Sequence, residues 1–376
     1  MKKLGIIGAS YLQEPLIQKA KSKGIETHVF AWAANDVGEK SADYFYPISI
    51  TERDEILQKC REIGIDGICT IASDLAAITV NYVAENMGLI GNSMDCTRVS
   101  TNKHEMRKCF EQNGDPSPKS IKVTSVSDLD GVDLTYPIIV KPVDRSGSRG
   151  ITKLEDSSGL EQAINNAMGQ GFEKCALVEE FATGQEYSVE FISWEGNHEF
   201  LALTKKYTTG APDFIETAHL EPAPVDDETF ERIKSVVKHA LTSLGIQYGA
   251  SHSELKVSET GDIKIIEIGG RMGGDNIGAA LVELSTGYDF LSAVIDVALG
   301  IKPDYKKDKQ MHAGIRFVFT QNDIDVLNLL KEEHPEYLVE EDVREITDEK
   351  VVDSGSRFGY YMFKAQDVKE LERYLP

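Results

Sequence analysis

Two glutamates near the middle of the chain combine residue type and spacing in a way that suits a metal ion. Residues 251–275 read SHSELKVSETGDIKIIEIGGRMGGD, in which two strand-like apolar runs flank a turn. A two-residue turn at Thr260-Gly261 would place Glu254 directly opposite Glu267. Carboxylates that face each other about 5 Å apart repel, and a cation between them removes the repulsion. Proteins commonly hold Mg²⁺ with one or two such carboxylates and phosphate oxygens.

The same register places Glu259 opposite Asp262 beside the turn, and a solvated hairpin rim is the alternative to a metal site. The residues after Glu267 favour the metal site. Gly269 and the glycines that follow it let the backbone approach a ligand. The guanidinium of Arg271 suits a carboxylate or a phosphate.

Two lysines lie at positions that suit phosphate oxygens. Lys103 falls in the first turn of a helix that Thr101-Asn102 can cap, where the helix dipole favours an anion over a cation. An exposed surface lysine is the alternative at that position. Lys141 ends the apolar strand 137–140 and stands beside a proline. Both lysines are therefore candidate partners of a polyanion.

A loop of small residues, Ser146–Gly150, follows Lys141 and returns to a strand at residues 151–154. Its sequence, SGSRG, offers backbone N–H groups to phosphates and could close as a lid. The loop does not match the Walker pattern, which needs a Lys-Ser/Thr pair at the start of a helix. A plain flexible hairpin is the alternative.

Three acids further along the chain extend the candidate site. Glu179 and Glu180 end an apolar run, where a backbone segment could dock the edge of a purine. Glu186 opens the next strand, and a carboxylate there could accept hydrogen bonds from ribose hydroxyls. Taken singly, each of them is also an ordinary surface acid.

The composition argues against several classes of partner. The chain has 376 residues, and 62 acidic residues against 40 basic ones give it a formal net charge of −22. Such a surface opposes nucleic acids and anionic membranes, so we expect no nucleic acid and no membrane as partners. Five cysteines without metal spacing indicate buried thiols in a reducing compartment, and we expect a cytoplasmic protein. No apolar run reaches membrane-spanning length.

The elements that must position these residues begin with alternating strand and helix patterns. Residues 1–92 predict a parallel βα sheet. Its first turn lacks the G-x-G-x-x-G of a dinucleotide site, and Trp32 ends the second strand where an acid is required. The glycine turn at Gly8 is compatible both with a tight turn and with a turn that faces a small ligand. Further along, FIETAHLEPAPV reads as a polar loop that holds His219.

The chain as a whole resembles the ATP-grasp superfamily of carboxylate–amine ligases. The resemblance rests on TNK, IIVKP, SGSRG, LVEEFATGQE, ELK and IEIGGR in this order, over nearly the whole length. It implies an α/β fold with α+β parts, in which an N-terminal parallel βα domain precedes two sheets that clamp ATP. The expected division is residues 1–92 for the N-terminal domain, 93–117 for a linker helix, 118–187 for a lid subdomain, 188–310 for a catalytic subdomain and 311–376 for a small strand-rich lobe.

The resemblance also implies roles for individual residues. ATP and Mg²⁺, or Mn²⁺ in its place, are the expected cofactors, with Glu254 and Glu267 as the metal ligands. The family pattern has Asn where this chain has Gly269, so either a water fills the vacancy or a second Mg²⁺ is held less tightly. The expected catalytic residues are Arg271, Lys141 and Arg149. The expected nucleotide-binding residues are Lys103, Lys141, Ser146, Gly147, Ser148, Glu179, Glu180, Phe181, Ala182 and Glu186.

The activity that the resemblance implies is that of an ATP-dependent carbon–nitrogen ligase. A small carboxylate becomes an acyl phosphate, and an amine attacks it to give an amide, ADP and phosphate. The R-x-G-G-D ending favours a subgroup of amino-acid ligases, with small-molecule carboxylate and amine substrates and a homodimer as a candidate assembly. The alternatives are ATP-grasp chemistry on purine precursors or sugar-phosphate amines, as in carboxylases and glycinamide-type ligases, and a non-catalytic nucleotide-binding relative.

Overall fold

The N-terminal part of the chain is the predicted parallel βα sheet. The computed structural model describes residues 1–145 and 147–376. The first elements are β1 (Lys3–Ile7), α1 (Glu14–Ser22), β2 (Glu26–Phe30), α2 (Val37–Ser41), β3 (Tyr44–Tyr46), α3 (Arg53–Ile63), β4 (Gly67–Cys69) and α4 (Asp74–Met87). The strands lie in the order β3-β2-β1-β4, all parallel. The carboxyl ends of the strands therefore meet at one edge.

The connector is formed by two helices where the sequence predicted one. They are α5 (Met94–Thr101) and α6 (Lys103–Asn113). Asn102 separates them, and its side chain accepts hydrogen bonds from the amides of His104 and Glu105 at 3.1 and 3.2 Å. This cap begins α6 at Lys103, as the sequence predicted.

A small antiparallel sheet follows the connector. Its elements are β5 (Ser120–Val123), β6 (Ile138–Pro142), β7 (Thr152–Leu154), α7 (Leu160–Gln170) and β8 (Ala176–Glu180). The strand order is β5-β8-β6-β7. Lys141 and Glu179 lie on neighbouring strands of this sheet, which brings two of the predicted site residues together.

A large antiparallel sheet of eight strands holds Glu186 and the predicted metal ligands Glu254 and Glu267. Its elements are β9 (Gln185–Trp194), β10 (Asn197–Thr208), β11 (Glu216–Glu221), α8 (Asp227–Ser243), β12 (Gly249–Val257), β13 (Ile263–Gly269), α9 (Val282–Thr286), α10 (Phe290–Ala298), β14 (His312–Phe317), α11 (Gln321–Glu333), β15 (Leu338–Val343), β16 (Gly359–Ala365) and α12 (Val368–Glu372). The strand order is β13-β12-β9-β10-β11-β14-β16-β15. The three C-terminal strands thus extend the sheet rather than form one of their own. The fold class is α/β with α+β parts, as predicted, whereas the domain bounds stay a prediction.

The hairpin of β12 and β13 confirms the predicted glutamate pair, but by a different turn. Glu254 lies opposite Glu267, while Val257 lies opposite Ile263, so the register shifts by one residue between these pairs. A β-bulge at Ile266 takes up the shift. The predicted two-residue turn was therefore wrong, and Glu259 does not face Asp262, because the chain closes a wider turn with a hydrogen bond from the Ser258 amide to the Asp262 carbonyl.

The N-terminal sheet is held against the large sheet at the edge that matters for the site. Val294 of α10 lies in the same buried apolar cluster as β1 and β2. At Gly67 an added Cβ would lie 2.3 Å from the carbonyl oxygen of Ala298, so only glycine permits this approach. The amide of Ala72 donates to the carbonyl of Met272 at 3.1 Å. These contacts place the carboxyl edge of the parallel strands beside the glycine-rich stretch after β13.

Across the residues that the structure describes, no helix combines the length and apolar character needed to span a membrane.

A buried carboxyl in β11 makes a prediction about stability. Glu221 is fully buried and accepts hydrogen bonds from Thr204 (2.6 Å) and Ser285 (2.7 Å). Burial raises the pKa of Glu221 from its ordinary 4.5 to about 7. The fold thus favours the protonated form, so its contribution is fully present below pH 4.5 and is lost as the pH rises through about 7.

We expect the wild-type protein to lose on the order of 3 kcal/mol of unfolding free energy across this pH window relative to Glu221→Gln, which keeps a neutral side chain. Chemical denaturation at pH 5 and pH 8 measures the difference. Glu199→Gln, at an exposed position in β10, is the control and should follow the wild type. Parallel pH profiles for wild type and Glu221→Gln would contradict the prediction.

Candidate functional site

Each predicted metal ligand is paired with a lysine from another element. Glu254 Oε1 lies 2.5 Å from Lys206 Nζ, and Glu267 Oε1 lies 2.7 Å from Lys103 Nζ. The two glutamate side chains keep 25% and 20% of their surface exposed, whereas the lysines are almost completely buried. The two glutamates lie opposite each other, as the sequence predicted. Their mutual repulsion is reduced by the ammonium groups of Lys103 and Lys206.

Lys206 is the centre of this charge cluster. Its ammonium lies near three carboxylates, Glu254, Glu186 (3.1 Å) and Glu216 (3.5 Å). Burial would lower the pKa of Lys206, but these three charges outweigh it and raise the pKa well above the ordinary value. Lys206 therefore stays protonated, although one ammonium cannot neutralise three carboxylates.

A buried histidine links one metal ligand to the glycine-rich stretch. His252 Nδ1 is hydrogen-bonded to Glu190, and its Nε2 lies 3.4 Å from Glu254 Oε1. Burial would lower the pKa of His252, but Glu190 and Glu254 raise it to about 9. Glu190 also accepts from the Gly273 amide at 3.2 Å. The orientation of Glu254 is thereby coupled to the loop that carries Arg271.

Contacts with other elements stabilise the charge of Lys103 at the start of α6. Its position in the first turn of α6 is unfavourable for a cation with respect to the helix dipole. The ammonium is stabilised by Glu267 and by the backbone carbonyl of Arg145, which accepts at 2.7 Å. Because Arg145 opens the predicted phosphate loop, Lys103 joins that loop to a predicted metal ligand.

Lys141 and Glu179 form a second buried pair, inside the small sheet. Glu179 forms salt bridges with Lys141 Nζ at 2.5 Å and with Arg107 Nε at 2.7 Å, and it accepts a hydrogen bond from Arg107 Nη2 at 3.4 Å. Burial lowers the pKa of Lys141, and Glu179 opposes this effect only in part. Glu179 was predicted to bind the nucleotide, whereas the structure directs both of its oxygens at cations. In this arrangement Glu179 positions Lys141.

The residues after Glu179 connect the small sheet to the large sheet. Glu180 is exposed and lies 3.4 Å from Lys264, and Ala182 is buried. The amide of Phe181 donates to the Pro137 carbonyl at 3.2 Å.

Phe181 and Glu186 share one lysine. The ring of Phe181 faces the ammonium groups of Lys153 and Lys256, 4.3 and 5.3 Å from its centroid. Glu186 lies 3.7 Å from the same Lys256. The predicted adenine and ribose residues are thus neighbours in space, although they belong to different sheets.

Arg271 is bound by an acid that the sequence did not assign to the site. Its Nε and Nη2 donate to the two carboxylate oxygens of Asp74 at 2.8 and 2.9 Å. Burial would lower the pKa of Arg271, but the charge of Asp74 raises it. Asp74 is available because Ser73, not Asp74, caps α4 by accepting from the Ala76 amide.

The same ion pair explains the departure at Gly269. A Cβ added there would lie 2.8 Å from Asp74 Oδ1 and 3.1 Å from Arg271 Cζ. A side chain at position 269 would therefore displace the carboxylate and guanidinium ends of this pair.

The predicted phosphate loop adopts backbone conformations that favour glycine. Gly147 and Gly150 have φ of +70° and +71°, and Ser148 between them has φ of +57°. Ser148 Oγ donates to the Phe214 carbonyl at 3.0 Å, which joins the loop to the large sheet side. Arg149 is exposed. Ser146, the remaining predicted phosphate ligand, lies outside the described residues.

Sequence reasoning missed the residues that balance the charges. A lysine in an apolar strand was the available signal for Lys206, because a strand buried on both faces excludes unpaired charge. His219, predicted on a loop, is fully buried on β11. No local signal marked Asp74, Glu190 or Arg107, since their partners are distant in the sequence.

The donor set fits Mg²⁺ only together with a phosphate-bearing substrate. No group of three or more His, Cys, Asp or Glu side chains placed to hold a metal exists among the described residues. Glu254 and Glu267 supply two opposed carboxylates, and Mg²⁺ needs six oxygens, several of which are commonly water and substrate phosphate. The residues present therefore fit a metal that arrives with a nucleotide.

Comparison with known proteins assigns the family. Residues 134–279 match the model of the ATP-grasp domain. This stretch of the chain is an ATP-grasp domain. An alanine–anticapsin ligase of Bacillus subtilis (strain 168) is 27% identical over 295 residues, which are 70% of this chain and 62% of that protein. The chain thus spans less than two thirds of the length of this relative.

Two solved structures share the fold of nearly the whole chain. An L-amino acid ligase from Bacillus licheniformis superposes with a TM-score of 0.87 and 24% identity, covering 100% of this chain and 96% of that one. A phosphoribosylglycinamide synthetase from Anaerococcus prevotii gives a TM-score of 0.78 and 20% identity, covering 99% and 96%. At these identities the likeness establishes the fold.

The charge cluster predicts how the ATP-grasp centre responds to a divalent ion alone. Lys206→Met should leave three neighbouring carboxylates without their cation, so Mg²⁺ should bind there more readily than in the wild type. We expect the Mg²⁺-induced rise in melting temperature to exceed that of the wild type by at least about 2 °C. Lys205→Met, at the adjacent position of β10, is the control; an equal Mg²⁺ response in all three proteins would contradict the prediction.

Proposed function

We propose that this protein is an ATP-dependent ligase that joins a small carboxylate, an amino acid in the first instance, to an amine. The observation that carries the proposal is the opposed pair Glu254 and Glu267, each paired with a buried lysine, with Arg271 on the loop that follows. The ATP-grasp domain supports the use of ATP. The similarity to an alanine–anticapsin ligase and to an L-amino acid ligase supports the amino-acid substrate.

In the proposed reaction a carboxylate oxygen attacks the γ-phosphorus of ATP, and the bond to ADP breaks. The amine nitrogen then attacks the carbonyl carbon of the acyl phosphate. Phosphate leaves with its oxygen, the nitrogen loses a proton, and an amide remains. Phosphoryl transfer of this kind depends on positioning and charge neutralisation more than on a protein base.

Each side chain has a role that follows from its charge and place. We assign Lys103 and Lys141 to the phosphates of ATP, and the amides of the loop 147–150 to its terminal phosphates. Glu254 and Glu267 would hold Mg²⁺, which when bound neutralises phosphate charge. Arg271 would move from Asp74 to the transferring phosphoryl group. Arg149, exposed on the loop, would cover it.

The proposal implies an exchange of partners when the nucleotide binds. In the free protein, Lys103 pairs with Glu267 and Lys206 with Glu254. A nucleotide with its metal brings both signs of charge, so the carboxylates can turn to the metal while the ammonium groups turn to the phosphates. Lys103 and Glu267 thus exchange each other for phosphate and metal, whereas Asp74 loses its cation when Arg271 turns to the phosphoryl group.

A second candidate function is ligation of an amine that carries a phosphate. The fold similarity to a phosphoribosylglycinamide synthetase is compatible with it. This function requires cations beyond those that hold ATP, and Arg53 and Arg145 line the neighbouring cleft. A non-catalytic nucleotide-binding role is disfavoured, because it gives no reason for retaining Glu254, Glu267 and Arg271 together. Phosphate release from ATP, measured over pooled amino acids, other small carboxylates and amines, tests the three functions.

We expect Glu267→Gln to abolish ATP turnover while the protein stays folded, because an amide is a poor ligand for Mg²⁺ and leaves Lys103 unpaired. Phosphate release should fall by at least about 100-fold. Glu259→Gln on the same hairpin, at an exposed position, is the matched control and should keep full activity. Near-native phosphate release from folded Glu267→Gln would refute the metal assignment.

Arg271→Lys separates catalysis from nucleotide binding. A guanidinium bridges two oxygens in one plane and an ammonium does not, so we expect kcat to fall by about 100-fold or more, with ATP affinity changed only a few-fold. Arg316→Lys removes a similar pairing with Asp323, outside the proposed site, and controls for lost stability. Retained turnover would mean that Arg271 only anchors Asp74, and loss of ATP binding would place Arg271 among the nucleotide ligands.

A further inference from the structure

A cleft of about 840 Å³ opens from the proposed metal site toward the N-terminal sheet. Lys103 and Glu267 line it at the proposed catalytic end. Its other walls are the carboxyl ends of β1 and β2, the first turns of α4, and one side of α5. Ligands of open parallel sheets bind at this edge. The volume lies in the range of pockets for ligands much larger than a single amino acid.

The floor of the cleft is a rigid glycine turn. Gly8 has φ of +103°, and an added Cβ would lie 2.9 Å from Gln13 Oε1. Gln13 is itself held by the Ile71 carbonyl, which accepts from Nε2 at 2.8 Å, and by the Ser10 hydroxyl at 2.7 Å. The turn that the sequence left open between structure and ligand binding thus forms part of a preformed wall.

Two large aromatic side chains that line the cleft are exposed. Trp32, at the end of β2, keeps 53% of its surface exposed, and Phe172 keeps 59%. Arg145 lies over the ring of Phe172, 4.6 Å from its centroid. Exposed aromatic rings that line one concavity mark a ligand surface more often than isolated ones do.

The charges of the cleft favour an anion. Arg53, Arg145 and Arg149 line it, and within the described chain none of the three has a salt bridge to a carboxylate. Acids outnumber bases by 62 to 40 in this protein, so guanidinium groups without an acidic partner gathered in one cleft call for an explanation.

Five acids line the same cleft, and four of them have partners; Glu173, for example, lies 3.3 Å from Lys122. Asp74 is bound by Arg271, and Glu267 by Lys103. Asp144 accepts from the amide of Glu173 at 2.6 Å. Arg53 and Arg145 are therefore the cations that remain for a ligand, and Asp36 is the lining acid without a salt bridge among the described residues.

We propose that this cleft binds one of the two substrates of the ligation, and that this substrate is an anionic molecule larger than a single amino acid. Its anionic group binds the arginines, and its apolar or planar part packs on Trp32. The assignment rests on the proposed function, because the cleft ends at the proposed phosphoryl-transfer site. A second carboxylate or a phosphate would satisfy the guanidinium groups equally well.

The two tryptophans of the chain make a direct binding assay available. Trp194 packs against Tyr248 and does not line the cleft, so Trp194→Phe leaves Trp32 as the sole tryptophan. Trp32 fluorescence is then titrated, with Mg²⁺ and ADP present, using glycine, L-alanine, the acidic dipeptide L-aspartyl-L-phenylalanine and glucosamine 6-phosphate. We expect a saturable change with one of the anionic probes, at a concentration at least about 10-fold lower than for glycine.

Further variants assign the contacts. Arg53→Gln should weaken binding of the anionic probe by about 10-fold or more, whereas Arg61→Gln on the same helix α3 should not. Trp32→Ala should lower kcat/KM for the anionic probe if it is turned over, and Tyr44→Ala, an exposed aromatic outside the cleft, should not. A response to the dipeptide assigns a carboxylate-bearing ligand, and a response to the sugar phosphate assigns a phosphorylated one.

The outcomes separate this inference from the proposed function. Equal responses to glycine and the anionic probes, or no response to any, would overturn the cleft assignment even if small amino acids support phosphate release. Saturable binding of an anionic probe, with no phosphate release for any carboxylate and amine tested, would instead contradict the ligase function and leave the cleft as a binding site.

Discussion

The candidate site depends on a single physical constraint, the need to neutralise several carboxylates that are gathered where little water reaches them. An unpaired buried charge costs several kcal/mol, so each acid must find a cation at short range. The protein meets this need with its own side chains. Glu267 has Lys103, Glu254 has Lys206, Glu179 has Lys141 and Asp74 has Arg271.

These pairs also determine how the parts of the chain are assembled. Lys103 begins a connector helix and reaches the large sheet, and Arg271 leaves the large sheet to reach α4 of the N-terminal unit. Each ion pair therefore joins two elements that are far apart in the sequence. The site lies where the three sheets meet, and its ion pairs help to hold the sheets together. A ligand that exchanges partners there acts on the contacts between the units.

The same constraint explains why the two ends of the cleft differ in how their charges are paired. At the metal end every charge has a protein partner, so binding proceeds by exchange. Toward the N-terminal sheet the arginines lack acidic partners among the described residues, and an exposed tryptophan stands beside them. An anionic ligand there gains charge contacts without breaking a salt bridge. The first region suits chemistry that is common to the ATP-grasp superfamily, and the second suits recognition of a substrate particular to this protein.

Much of the fold could be predicted because its signals are local. The alternation of apolar runs with helical periodicity indicated the parallel sheet, and the Asn102 cap indicated the start of α6. The hairpin shows the limit of such reasoning. Glu254 faces Glu267 as expected, yet the turn is wider than predicted and a bulge at Ile266 compensates for it. The wider turn shifts the register by one residue, and the bulge shifts it back. The predicted pair of glutamates was therefore correct although the predicted turn was not.

By itself, the sequence determined the order of the motifs, the superfamily and the identity of the opposed glutamates, because these depend on residue type and short spacing. Tertiary structure decided which acidic side chain pairs with which basic side chain. Lys206, Asp74 and Arg107 became part of the site only when strands and helices distant in the chain came within hydrogen-bond reach. It also decided why position 269 is a glycine, since the Asp74–Arg271 pair occupies the space of a larger side chain. Ion pairing acts over a few ångströms in space, and no pattern along the chain records that distance.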